Sequence, residues 1–453
     1  MRINLEQARK QAKERVRAGE AATLADAQRT VARELGYPSW PRLVRAVGER
    51  ATAERIVALA DHRGGLALEL LEAFGELRAD PWVALTLGDP SKIGDALAPG
   101  GPLDRPPLFY VARSRIAADT VVAARDLLAR GADPNGSGGE DWTNLSIACS
   151  RGDAALVALL LEAGAEPNDN DSLYHAVEPA DPSCVRLLLA AGATVPGTNA
   201  LHHALDYERL EQVGLLLDGG GDPNEPASWP PLHHAVGRGR SPEFVHLLVD
   251  RGADPTARDG HGRTAYQHAV RRGNRPLADV LSELGAPDEL TDADRALAAI
   301  ATGGPVRTAD LDADAPHMLI ELAMRDASAL GRVVDAVGPD FAGSFGGGPD
   351  GTLLHQAAWF GRVPLVELLL ERGAAVDPRA TTDYATPLGW AAVGSRYTPD
   401  HPDDSFSAPD ADHLGVARLL VGAGAVVESK FAEMATEPLA TWLAAVAEGG
   451  ERP

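Results

Sequence analysis

The sequence predicts an all-α solenoid of stacked helix-turn-helix units with a helical cap at its N-terminus. Three observations predict it. Apolar residues recur at helical spacing in short, paired segments. Most pairs close on a Gly-Ala stop, as at Gly131-Ala132, Gly164-Ala165, Gly192-Ala193 and Gly252-Ala253. The pair returns with a period of roughly 30 residues, and a helix pair of that size buries its apolar surface only between neighbours.

The unit is clearest from Gly351 to Ala374. Thr352 offers a side-chain oxygen to an unpaired N–H of the helix it precedes. Leu353, Leu354, Ala357 and Ala358 share one face of that helix, and the small alanines let a neighbour approach closely. Gly361 ends it. Val363, Val366, Leu368, Leu369 and Leu370 make the second helix apolar around most of its circumference, so it needs neighbours on several sides.

Taken in order, residues 1–50 read as a helical N-terminal module. It has a basic helix from Leu5 to Val16, a second opened by Thr23-Leu24-Ala25-Asp26 and stopped at Gly36, and a third from Arg42 to Val47, with Tyr37 and Trp40 packing them. It serves either as a cap or solvated face, or as a docking module. Residues 51–100 hold linker helices between Glu54 and Leu77, interrupted at Gly64-Gly65, and a degenerate first repeat from Pro81 to Leu97. Residues 101–288 form a first repeat block, whose opening helices start near Pro107, Thr143, Ser172, Asn199, Pro231 and Thr264. From 289 to 349 the pattern decays, with Asp294 to Thr302 and His317 to Val337 as two worn units and Gly343 to Gly351 as a loose link, and the array is expected to bend or flex near 288–350, giving two blocks. Residues 350–430 are a second block carrying an insertion at 394–413, and 431–453 are a C-terminal helix, Phe431 to Val446, with a tail.

Variants of Thr-Pro-Leu-His-x-Ala open the first helices, and Leu-Leu-Leu-x-x-Gly-Ala-Asp-Pro-Asn closes the second. Thr386-Pro387-Leu388, Leu354-His355 and Gly131-Ala132-Asp133-Pro134-Asn135 carry the pattern best, and over roughly residues 80 to 428 the chain resembles the ankyrin repeat family. Ala32 to Pro41 is similar to the leader seen on bacterial ankyrin proteins. The resemblance implies an L-shaped unit with an inner helix on a concave face and an outer helix behind. It also implies protein binding through the turns and that face. Gly389 departs from the pattern by replacing its usual histidine.

The 453-residue chain carries a net charge of −23, which argues against a general nucleic-acid binder or an anionic membrane surface. The basic exception is residues 1–50, with eleven Arg/Lys against six Asp/Glu. Two cysteines, Cys149 and Cys184, fit a reducing compartment and small buried packing groups. With no apolar N-terminal leader and no membrane-length apolar run, the expectation is a soluble cytoplasmic protein.

One pattern exceeds the generic repeat. In four consecutive units the residue before the opening-helix alanine is histidine: His175, His203, His234 and His268, spaced 28, 31 and 34 residues apart. Elsewhere that position holds Tyr110, Ile147, Gln356 and Trp390. His202 and His233 occupy the family's usual position, where local hydrogen bonds to backbone are the expected role. Three readings compete for the row: packing between repeats, recognition of an acidic or aromatic partner strengthened by protonation, or a metal or catalytic site. The acidic insertion, with Asp400, Asp403, Asp404, Asp410, Asp412 and His413, reads as a solvated loop or a divalent-cation site. Trp142 and Trp229 precede opening helices in turns that face a partner, while Trp359 and Trp390 lie inside such helices. No nucleophile motif, phosphate loop or metalloprotease helix is present, and no cofactor is implied. The sequence therefore reads as a non-catalytic scaffold or adaptor for a protein partner, contacting it through Tyr110, Trp142, His175, His203, Trp229, His234 and His268. The alternative is an enzyme or a small-molecule or metal receptor built on the histidine row.

Overall fold

A computed structural model describes residues 5–17, 23–34, 40, 53–61, 64–94, 97–136, 142–169, 171–344, 350–381, 385–397 and 411–447. Their regular secondary structure is almost entirely helical. The chain divides into two units, one of residues 1–204 with 211–221 and one of 205–210 with 222–453, so the division falls inside the stretch that reads as one repeat block.

In the first unit, helices Leu5–Arg17 and Leu24–Glu34 pack together through Ala12, Ala27, Val31 and Ala32, with Arg15 and Glu34 closing a two-bond ion pair at 2.9 Å. The expected third helix, Arg42 to Val47, and Tyr37 lie outside the described residues. The linker is two helices, 53–59 and Gly64–Ala73, as the glycine pair predicts. The degenerate first repeat has a short helix, Pro81–Thr86, capped by Asp80, and its second helix is reduced to one tight turn, Pro90–Ile93. Opening helices Pro107–Arg113, Asn144–Ser150 and Ser172–His175 then stack on one another, with second helices Thr120–Ala129, Ala154–Glu162 and Ser183–Ala190 stacked behind. Asp119 and Asp153 cap second helices through the N–H groups of Val122 and Leu156, and Thr143 forms a reciprocal cap with Ser146.

The Gly-Ala-Asp-Pro-Asn turn explains the period. Asn135 Nδ2 donates to the Gly164 carbonyl at 3.1 Å, while Asn135 Oδ1 accepts from Glu166 N at 2.8 Å. Asn168 repeats the clasp on Gly192 and Thr194. In the second unit Asn224 repeats it on Gly252 and Asp254. One amide thus satisfies the helix-end carbonyl and a turn N–H of the following repeat.

The second unit contains the pairs Pro231–Gly237 with Pro242–Asp250, Ala265–Arg271 with Arg275–Glu283, Ala315–Ala323 with Ala327–Val337, Leu353–Trp359 with Val363–Glu371, and Pro387–Tyr397 with His413–Gly422. Residues 289–349 hold one lone helix, Asp292–Thr302, and one full pair rather than two worn units. The lone helix packs on Ala265–Arg271 and on Ala327–Val337, so the stack runs through this stretch and one apolar cluster extends from Leu297 to Val446. The supposed loose link has paired flanks: Ala342–Gly343 lies antiparallel to Gly351–Thr352.

Two expectations change at the C-terminal end. The insertion begins later, because Gly394 to Tyr397 continue the helix from Pro387. The single C-terminal helix is two, Lys430–Met434 and Leu439–Ala447, since the proline at 438 disfavours helical geometry in the residue before it. At Gly389, which departs from the pattern, an added Cβ would sit 3.1 Å from the Phe431 ring, tighter than ordinary contact.

Candidate functional site

The histidine row is built where opening helices stack, and its members meet carboxylates. In the first unit His175 Nδ1 donates to Glu178 Oε1 at 2.5 Å, and His203 Nε2 lies 3.4 Å from the same oxygen. Tyr174 stacks on His203 with ring centroids 3.7 Å apart and 10° between planes, and presents its edge to His175. Trp142 stacks on the other face of this group, 4.6 Å from His175 at 21°, and remains 42% exposed. Burial works to raise the Glu178 carboxyl, but the hydrogen bonds from His175 and His203 outweigh it and hold it below the usual carboxylate range. Glu178 is therefore an anion set beneath an aromatic stack.

In the second unit the partner is Asp206. His234 Nε2 donates to Asp206 Oδ1 at 2.7 Å, and Arg238 Nε reaches the same oxygen at 2.7 Å. Trp229 Nε1 donates to His234 Nδ1 at 3.0 Å. An indole N–H only donates, so Nδ1 of His234 carries no hydrogen and the donor to Asp206 is Nε2. Trp229 also meets His268 edge-on at 5.2 Å, which places it between the two imidazoles.

His268 is fixed in the same way. Its Nε2 donates to the fully buried Asp259 carboxylate at 2.7 Å, and Arg272 Nη1 donates to its Nδ1 at 3.3 Å. A guanidinium has no acceptor, so this ring is neutral. Burial pulls the imidazole down to about 4 against the opposing hydrogen bond to Asp259, and the charge of Arg272 adds to the fall. Burial opposes ionisation of Asp259 too, but the hydrogen bonds from His268 and from the Arg263 and His261 backbone hold it well below the usual range. Protonation near pH 6.5 is therefore not a property His268 can lend to binding.

The remaining expected residues separate. Tyr110 is only 2% exposed. Its hydroxyl donates to the Gly100 carbonyl at 2.6 Å and accepts from Leu103 N at 2.9 Å, so it is an interior strut and leaves the contact surface. The cavity beside it, lined by Asp61, Thr86 and Arg113 among others, has a volume of about 10 Å³, too small for a substrate. His203 and His268 are also buried, at 3% and 5%. His233 and His355 bond the backbone carbonyls of Arg263 at 2.9 Å and Ala385 at 3.1 Å, each in the following repeat, so the His233 bond is not the local one expected. Trp390 is buried, whereas Trp359 stays half-buried. Cys149 and Cys184 are free and buried. Most of the acidic insertion lies outside the described residues; His413 instead bonds the Trp359 carbonyl at 2.9 Å. Among the described residues no three His, Cys, Asp or Glu side chains converge as a metal would require. No helix among them is long and apolar enough to cross a membrane.

Two features escaped the sequence reading. One is the set of carboxylates: Glu178 and Asp206 each stand three residues after a row histidine and meet the histidine of the next repeat. That spacing was visible. The other is a buried ionic knot in the decayed stretch. The fully buried Arg271 donates to Asp294 at 2.8 Å and to both oxygens of Asp312 at 2.8 and 2.9 Å, while Gln267 also donates to Asp294. These residues lie too far apart in sequence to be paired without the fold.

The family model described as ankyrin repeats (3 copies) matches residues 145–227 and 201–292, and that for the ankyrin repeat matches 351–383. Over 78 residues, 17% of this chain, the sequence is 38% identical to the E3 ubiquitin-protein ligase hecd-1 of Caenorhabditis elegans, and the matched stretch spans 3% of that relative. Among solved structures, the human ASB11 ankyrin repeat domain is 25% identical with a TM-score of 0.40, covering 47% of this chain and 98% of that one. The ankyrin repeat domain of Bcl-3 is 29% identical with a TM-score of 0.36, covering 43% and 90%.

Proposed function

Because the chain is an ankyrin-repeat protein, and such repeats generally serve as protein–protein interaction modules, we propose that it is a non-catalytic adaptor. Its contact surface in the first unit centres on Trp142, backed by His175 and Tyr174. Trp229 and His234 provide a second contact area in the second unit. The observation that carries this reading is the state of Trp142. It is a large aromatic side chain, 42% exposed, yet held flat against His175, which Glu178 fixes in turn. An anchor already held in place loses little conformational freedom on binding, and buried tryptophans dominate interface energetics.

His175 supports that anchor by stacking on it. His203, buried and bonded, acts on a partner only through Tyr174 and Glu178. A soluble cytoplasmic location fits this role. The test compares proteins retained by the wild type with those retained by Trp142→Ala and Trp229→Ala, both first shown to melt like the wild type. Loss of a retained protein with Trp142→Ala supports the reading. Identical sets from all three chains overturn it.

A further inference from the structure

The chain around Trp142 is one-sidedly acidic. Residues 131–204 carry ten Asp/Glu against two Arg and no Lys. Both arginines are engaged: Arg151 donates to the Ala112 carbonyl, and Arg186 pairs with Glu211. Asp169 is tied to the tryptophan's own turn. Its Oδ2 accepts from the hydroxyl of Thr143, the residue after Trp142, at 2.5 Å and from the Ser172 hydroxyl at 2.7 Å. Its Oδ1 accepts from Asp171 N at 3.2 Å and Ser172 N at 2.8 Å. None of these donors carries a charge, so they satisfy the carboxylate without neutralising it. Among the described residues no cation pairs with Asp169. Asp169 bonds the first residue of helix Ser172–His175, and Trp142 stacks on the last, so the two flank a single helical turn, whose pitch is about 5.4 Å. His175 covers one face of the indole and is its one ring contact among the described residues.

We infer that the exposed side of Trp142, with Asp169 beside it, seats an arginine from a basic segment of the partner protein. The inference rests on the proposed contact at Trp142 and adds the chemistry of what binds there. A guanidinium is planar: it stacks on an indole face and turns its N–H fork toward a carboxylate within reach. An ammonium has the charge but no plane to stack. Glu178, bonded to His175 behind the indole, adds a second carboxylate to the same group. Asp133 and Glu166 are exposed in the turns that close the two preceding helix pairs, and neither pairs with a cation among the described residues. Basic residues flanking the arginine therefore find carboxylates as well. An acidic partner meets like charge here, with both local arginines already engaged. A neutral aromatic segment gains the stack but nothing from Asp169. The field thus selects a basic partner over the acidic or aromatic one that the histidine row alone suggests.

Fluorescence polarisation on the full chain tests this with three labelled glycine–serine peptides of one length, bearing arginine, lysine or glutamate at the same positions. The expected order of affinity is arginine, then lysine, then glutamate. Trp142→Ala is expected to weaken the arginine peptide about fivefold. Asp169→Asn keeps an oxygen for the Ser172 N–H and is expected to weaken it about threefold while lowering its salt dependence. Glu162→Gln, exposed at the end of helix Ala154–Glu162, is the control for general charge attraction and is expected to change nothing. Melting temperatures are read for all three variants. Any other order of affinity, no binding of the arginine peptide below about 1 mM, an unchanged affinity in a normally melting Trp142→Ala, or equal losses in Asp169→Asn and Glu162→Gln overturns the inference. Those outcomes leave the Trp142 contact itself standing for a partner of other chemistry; that contact falls only if Trp142→Ala retains every protein the wild type retains.

Discussion

His234 reaches across one repeat to Asp206, placing Nε2 2.7 Å from the carboxylate, and Trp229 fixes the direction of that bond by donating to the opposite ring nitrogen. His203 stands in the same relation to Glu178, three residues after His175. His203 and His234 are thus links to the repeat before their own. Their by-product is a pair of tryptophans held at the surface in defined orientations.

If these links carry load, removing an acceptor costs more than removing an exposed anchor. Glu178→Ala leaves His175 and the buried His203 without their shared carboxylate, at an expected cost of about 2 kcal/mol, the range for hydrogen bonds to charged groups. Urea unfolding measures it. Trp142→Ala, at an exposed site, is expected to shift stability by under about 1 kcal/mol.

His268 makes stability depend on pH. Its folded-state value lies near 4, below the ordinary 6.5, so the unfolded chain takes up the proton first. Its contribution is complete above about pH 6.5 and is lost as pH falls toward 4. Burial depresses His233 and His413 as well, and they act in the same direction. His268→Asn is expected to flatten the melting profile across that window. A variant profile parallel to the wild type contradicts the assignment.

The ionic knot makes the decayed repeats cohere. Arg271→Met leaves Asp294, whose side chain is 1% exposed, without its cation, while Asp312 keeps Arg263. Breaking a buried pair from one side costs about 3–5 kcal/mol. Chemical denaturation of the variant reads this directly, and a change under about 1 kcal/mol removes the knot from the account of stability.

Among the described glycines, Gly394 allows the closest approach of a neighbouring backbone. A Cβ there would lie 2.2 Å from the Trp359 carbonyl oxygen. Gly394→Ala is expected to cost about 1–3 kcal/mol through overpacking and to disturb the Trp359–Tyr397 stack, seen as a change in tryptophan emission. Wild-type stability and emission together contradict it.

The sequence shows the period, the helix pairs and the stops plainly, because Gly361, Thr352 and the leucine runs act within their own segment. It shows the histidine row for the same reason. It hides the burial of Tyr110, whose hydroxyl partners lie in a turn with no pattern of its own. Asp294 and Asp312 look like surface acids until the fold brings Arg271 between them. Pro438 marks a break that apolar periodicity from Phe431 to Val446 conceals. Local signals survive in sequence, while groups paired across repeats do not.

The central claim is that the Trp142 face, rather than the outer helices, meets a partner. A photoreactive phenylalanine analogue placed at position 142, and separately at position 122 on helix Thr120–Ala129, where Val122 is 63% exposed, tests it directly. After irradiation in a native extract, the account predicts a discrete crosslinked protein from position 142 and none from 122. Equal labelling at the two positions, or a discrete product from 122 alone, contradicts it.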